Sequence, residues 1–244
     1  VYGCGGTGKS EVLKSVTAAI DVDLQARREA ALRIGWAIEG HLALTSSDLV
    51  IVGAPTGVAA VAVGGSTNHS LASLGSGRKH AGSEAGVFED LTEGGEALKR
   101  LQKKFKHAIF FFDDEVGMID AGTFGNIDSR HSQAKVSSTN PTPGPLGGLN
   151  VICFGHHAQL PPVNGDRLYS KKPTKKNPLV SKGIESYGLF ACVVILREQM
   201  RQRTAATTPT LLAAMPKSDR DSLRETTHRL AKFRSFLDRV MDSE

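Results

Sequence analysis

The eight residues GCGGTGKS, Gly3 to Ser10, constrain this chain more than any other stretch. They fit the pattern G-x-x-x-x-G-K-[ST] in full, and an amphipathic helical pattern follows directly. Glycines at Gly3, Gly5, Gly6 and Gly8, with Thr7 between them, let backbone N–H groups curl around phosphate oxygens. The helix that follows aims its partly positive N-terminal end at the same oxygens. In this arrangement Lys9 reaches the β- and γ-phosphates and the Ser10 hydroxyl ligates Mg²⁺. The competing reading, a glycine-rich turn that fits the pattern by chance, leaves the helix unexplained.

Such a loop needs a carboxylate at the end of a neighbouring strand. Short apolar runs at Leu49–Val52, Ala108–Phe112, Val151–Phe154 and Val193–Leu196 read as buried strands. Between them, Val12, Leu13, Val16 and Ile20 repeat at helical spacing, as do Leu98, Leu101 and Phe105. Alternating strands and helices predict an α/β fold, a mainly parallel sheet with helices on both faces. The stretches Ser76–Gly95, His131–Gly148 and Asp166–Lys182, rich in Gly, Ser, Pro or Lys, are expected to be surface loops. AIFFFDDEVGMID supplies the acidic strand end. Asp114 is expected to hold Mg²⁺ through water, and Glu115 to orient and deprotonate the attacking water.

With 40% hydrophobic and 23% charged residues, the chain has an ordinary globular balance. No run of eighteen apolar residues is present, so no membrane partner is expected. Three scattered cysteines suit a reducing, intracellular compartment. A net charge of +5 suits a polyanionic partner. The opening on Val1-Tyr2-Gly3, without Met or a basic leader, is read as that of a fragment.

Beyond the glycine loop, four more segments follow in order: APTGVAAVAVGGSTNHSLASLG (Ala54 to Gly75), FFDDEVGMID, GHHAQLPPV (Gly155 to Val163) and LREQMRQR (Leu196 to Arg203). Together the five resemble the helicases named for petite integration frequency, the PIF family, in the 5′-to-3′ branch of helicase superfamily 1. They also resemble the helicase portion of fungal Helitron-type transposons. The resemblance implies a RecA-like P-loop NTPase domain over residues 1–203, a helical tail over 204–244 that matches incompletely, and a second RecA-like domain that is absent. It implies an ATP-dependent DNA helicase motor that uses ATP and Mg²⁺, with single-stranded DNA and tailed duplex as partners. Roles of the repair, recombination and telomere-maintenance type go with it. By the same resemblance, Gln159 senses the γ-phosphate or its attacking water, and Arg201 stabilises charge on the transferring phosphoryl. Pro55, Thr56, Gly57, Thr67 and His69 face the single strand, the hydroxyls and imidazole donating to phosphate oxygens.

The chain departs from the family pattern at four places. His156 and His157 replace the Asp and aromatic of GDF-x-QLPPV, and Gly117 replaces the serine of DE-x-SM. The strand and adenine-contacting glutamine expected upstream of the glycine loop are read as lacking apart from Val1-Tyr2, and so are the late motifs of a second motor domain. The alternative reading is therefore a catalytically decayed, transposon-derived domain that binds nucleotide or DNA. A metal site on His156 and His157 ranks last, because adjacent side chains on extended backbone point to opposite faces.

Overall fold

In the computed structural model of the chain, the described residues are 1–73, 91–157, 159–163, 165–171 and 177–197. The expected loop Ser76–Gly95 falls mostly outside them, as do part of Asp166–Lys182, Arg201 and the expected tail 204–244. In chain order the elements are β1 (Tyr2–Gly3), α1 (Lys9–Arg33), α2 (Ser46–Leu49), β2 (Val50–Ala54), α3 (Gly57–Ala62), β3 (Ser66–Thr67), α4 (Asn68–Leu71), α5 (Glu96–Phe105), β4 (Phe110–Asp113), α6 (Ala121–Lys135), β5 (Asn150–Cys153), α7 (Pro178–Gly188) and β6 (Ile195–Leu196).

Every strand pairing among the described residues is parallel. Four strands run in the order β3-β2-β4-β5, and β1 pairs with β6. A parallel bridge between Tyr2 and Gly155 joins the two groups just past the end of β5. The register sets Gly53 beside Asp113 and Asp113 beside Cys153, so the carboxyl ends of β2, β4 and β5 align. Ligands of open α/β sheets bind along that edge.

β4 shows why the sheet forms. Its four residues, Phe110 to Asp113, are all buried, and a strand buried on both faces reads as a continuous apolar run. Alternation sends Phe110 and Phe112 to one face, where Leu13, Val16, Ile20 and Leu24 of α1 cover them. Phe111 points to the other face, against Leu101 and Phe105 of α5 and Ile127 and Ala134 of α6. Helices thus lie on both faces, as the sequence pattern predicts.

Two expected loops prove partly helical. The stretch from His131 begins inside α6, and His131 is fully buried between the rings of Phe105 and Phe111. The stretch ending at Lys182 enters α7 at Pro178. These two helices cross closely because Gly125 and Gly183 carry no Cβ. One added at Gly125 would stand 2.0 Å from the Leu179 carbonyl oxygen, and one at Gly183 would stand 1.8 Å from that of Ala121. Under the crossing, Asp128 accepts from Leu146 N (2.6 Å) and from the Ser186 hydroxyl.

Candidate active site

Five segments meet at the carboxyl edge of the sheet. The first is the glycine loop between β1 and α1. Gly6 and Gly8 have φ of 85° and 90°, a left-handed conformation open to glycine without steric penalty. Thr7 closes the loop through its hydroxyl, which donates to the Cys4 carbonyl at 2.8 Å. Gly3 is forced as well: a Cβ there would stand 2.5 Å from Thr7 Oγ1. Lys9 is buried, and its Nζ donates to the carbonyls of Gly3 (2.7 Å) and Cys4 (3.2 Å).

The second segment leaves β4. Asp113, the last strand residue, points into the core, and Asp114 and Glu115 follow it into the turn. Lys9 and Ser10 come close enough to Asp114 that the ammonium charge and the hydroxyl both favour its ionised form. Burial nonetheless raises its pKa, against those two and a bond from Glu115 N at 3.0 Å. Glu115 sits at φ 53°, ψ 38°. A non-glycine residue held there is strained by roughly 1–2 kcal/mol, and such strain clusters at active sites. The structure thus unites Ser10, Lys9, Asp114 and Glu115, although β5 lies between β1 and the acidic strand rather than the two being neighbours.

Asp113 has a partner that its sequence position does not reveal. Asn68 Nδ2 donates to its Oδ1 at 2.9 Å, and both side chains are fully buried. Desolvation pushes the Asp113 carboxyl up to about 7, opposed by the Asn68 bond and reinforced by the Asp114 charge.

The third segment is GHHAQLPPV. Gly155 lies against the acidic turn, and Gly117 lies against His156: a Cβ on Gly117 would stand 2.7 Å from the His156 carbonyl oxygen. That same oxygen accepts from Gln159 N at 3.1 Å, which closes a tight turn. Gln159 is thereby set against the glycine loop, its Nε2 3.0 Å from the Cβ position of Gly5. Its Oε1 is buried without a hydrogen-bond partner among the described residues. The two histidines diverge. His156 stacks on Tyr2 at 4.4 Å between ring centroids, and His157 Nε2 meets the Tyr187 hydroxyl at 2.8 Å.

The remaining two segments follow β2 and β3. The pairing of Ala54 with Thr67 sets Pro55, Thr56 and Gly57 beside Thr67 and His69. Thr56 Oγ1 accepts from Ala59 N (3.2 Å) and Thr67 Oγ1 from Ser70 N (3.3 Å), so both hydroxyls cap short helices. Each keeps its own proton to donate. His69 and Gly57 are exposed, and Pro55 and Thr56 are half-buried.

A family model described as "PIF1-like helicase" matches residues 37–217, more than half of the chain. The chain belongs to the PIF1-like helicase family. The matched span begins after α1, so the glycine loop rests on its own pattern and geometry. Among curated relatives, the PIF1-like chain is similar to the "ATP-dependent DNA helicase RRM3" of Saccharomyces cerevisiae, 24% identical over 161 residues, covering 66% of this chain and 18% of that protein. It is similar also to the "ATP-dependent DNA helicase PIF1" of Danio rerio, 34% identical over 112 residues, covering 45% of this chain and 15% of that protein. The PIF1-like chain thus spans less than a fifth of the length of either relative. Among solved structures, unliganded Pif1 from a Bacteroides species superposes with a TM-score of 0.51 at 23% identity, over 87% of this chain and 39% of that one. That likeness is one of fold, the RecA-like α/β arrangement.

Proposed function

We propose that residues 1–203 are the first RecA-like motor domain of an ATP-dependent DNA helicase, which hydrolyses ATP and couples it to movement on single-stranded DNA. The observation that carries this reading is that the Lys9 charge and the Ser10 side chain both act on the Asp114 carboxyl. It brings a phosphate-cradling loop and an acidic turn together, and the two oxygen donors suit a hard divalent cation such as Mg²⁺. When bound, Mg²⁺ neutralises charge on the β- and γ-phosphate oxygens. Lys9 holds the γ-phosphate, and Glu115, one residue beyond Asp114, orients water and takes its proton. Gln159, set against Gly5, donates to the γ-phosphate or to that water. Arg201, beyond the described residues, is assigned the charge-stabilising role, of order 10³–10⁵ in rate for such arginines.

On the same reading, Pro55, Thr56, Gly57, Thr67 and His69 track the sugar-phosphate backbone of a single strand or the tail of a duplex. Stepping requires a second motor domain that closes on the nucleotide, and an intracellular location goes with the function. The test is Mg-ATP turnover by the chain with and without an oligodeoxythymidylate. We expect slow turnover that disappears in Lys9→Ala, with no unwinding of a 5′-tailed duplex. Failure to bind either Mg-ATP or single-stranded DNA at low salt defeats the reading. Robust unwinding by these 244 residues alone defeats its two-domain part.

A further inference from the structure

The glycine loop carries a nucleophile that neither phosphate binding nor hydrolysis uses. Cys4, the second residue of GCGGTGKS, is exposed. Its Sγ lies 3.4 Å from Nε2 of His156, 152 positions along the chain. The imidazole is held in place. It stacks on Tyr2 with the ring planes 23° apart, and its backbone carbonyl is fixed between Gln159 N and the bare face of Gly117. A thiol in hydrogen-bond reach of a positioned imidazole is the arrangement that activates cysteine nucleophiles, because the thiolate is the reactive form.

Further features mark this place as facing a ligand. The Cys4 carbonyl receives both the Lys9 ammonium and the Thr7 hydroxyl, so the thiol is carried on the backbone of the cradle itself. Beside it, the buried Oε1 of Gln159 has no hydrogen-bond partner among the described residues.

We propose that Cys4 and His156 form a thiol–imidazole modification site, through which low-molecular-weight disulfides switch off the phosphate cradle. In the step, His156 Nε2 takes the thiol proton and the Cys4 sulfur attacks one sulfur of the disulfide. The disulfide bond breaks, and the leaving thiolate takes the proton from His156. One mixed disulfide and one free thiol result, with no other oxidant consumed. A thiol reductant reverses it. With a peptide thiol such as glutathione, the adduct places bulk and carboxylates where the loop N–H groups receive phosphate. That consequence rests on the nucleotide reading above; the reactivity of the pair does not.

The test labels the intact chain with iodoacetamide at pH 7 and follows each cysteine by peptide mass spectrometry. Cys192, also exposed, and Cys153 serve as internal references. We expect Cys4 to label about tenfold faster than Cys192, and His156→Gln to slow Cys4 by a similar factor without moving Cys192. Equal rates at Cys4 and Cys192, or a Cys4 rate indifferent to His156→Gln, overturn the pair. Glutathione disulfide is then expected to abolish binding of a fluorescent ATP analogue, dithiothreitol to restore it, and Cys4→Ser to make binding indifferent to both. Binding that persists on the thiolated chain overturns the switch. A chain that binds no nucleotide before treatment defeats the proposed function, while the labelling rates still decide the pair.

Discussion

Two fully buried titratable side chains contribute opposite pH slopes to stability, which cancel against each other in the wild type and are uncovered when either is replaced. Asp113 is buried with its carboxyl raised from 3.8 to about 7, and His131 is buried with its imidazole lowered from 6.5 to about 3. Both shifts arise chiefly from desolvation, which disfavours the charged form. Between pH 4 and 6.5 the unfolded chain has lost the Asp113 proton and kept that of His131. The folded chain has kept the first and lost the second. Proton counts match at these two sites, and their slopes cancel.

Asp113 alone makes stability fall as pH rises from about 4 to about 7, by about 1.4 kcal/mol per pH unit and about 4 kcal/mol in all. His131 alone makes stability rise with pH from about 3 to 6.5 at the same slope. Asp113→Asn keeps the acceptor for Asn68 Nδ2 and removes the first slope. Urea unfolding at pH 4.5, 5.5 and 6.5, without nucleotide or Mg²⁺, should then show stability climbing by about 3 kcal/mol across the series. At pH 8 this variant should exceed wild type by about 4 kcal/mol, since it carries no buried charge. His131→Leu removes the second slope, and its stability should fall by about 3 kcal/mol from pH 4.5 to 6.5. Profiles of both variants that stay parallel to wild type within about 0.5 kcal/mol refute the reasoning.

Other substitutions test the site and the fold. Glu115→Gln should retain Mg-ATP binding by calorimetry while lowering turnover by about 10²–10⁴, because the base is lost and the cradle is not; unchanged turnover removes Glu115 from the chemistry. Gly117→Ser should lower stability by about 1–3 kcal/mol in a thermal melt, the new Cβ meeting the His156 carbonyl oxygen at 2.7 Å. A neutral result there means that the GHH turn gives way. Gly183→Ala should be worse, since its Cβ meets backbone of α6 at 1.8 Å; a loss below about 1 kcal/mol would show that α7 shifts freely.

Much of the sheet was legible because its strands are apolar on both faces. Runs expected at Leu49–Val52, Ala108–Phe112 and Val151–Phe154 form β2, β4 and β5 with ends displaced by one or two residues. Of the run Val193–Leu196, only Ile195 and Leu196 pair. Strand order was not legible, because nothing in a single run states its neighbour. α6 is not legible at all, for a different reason. Its sequence, AGTFGNIDSRHSQAK, has few apolar residues at helical spacing, and tertiary contacts bury it. Asp128 and Arg130 are buried within it, and Asp128 is bonded to Leu146 N and Ser186. The roles of Asp113 and Asp114 separate only in three dimensions. Adjacent carboxylates look alike in sequence, but the pleat sends one into the core against Asn68 and the turn releases the other toward Ser10.

The departures at Gly117 and at His156-His157 look like independent losses in the sequence. In the structure they are one contact. Gly117 lies bare beneath the His156 carbonyl, that carbonyl holds Gln159 N, and Gln159 reaches Gly5 of the cradle. Random decay has no reason to place a glycine where the altered turn needs the space of a side chain removed. Nor does it require both new imidazoles to find partners, one on Tyr2 and Cys4, the other on Tyr187. The altered turn is self-consistent, with imidazole chemistry at its rim. An aspartate at position 156 would lack the ring that stacks on Tyr2, so restoring the family residue should loosen the turn unless Tyr2 changes with it.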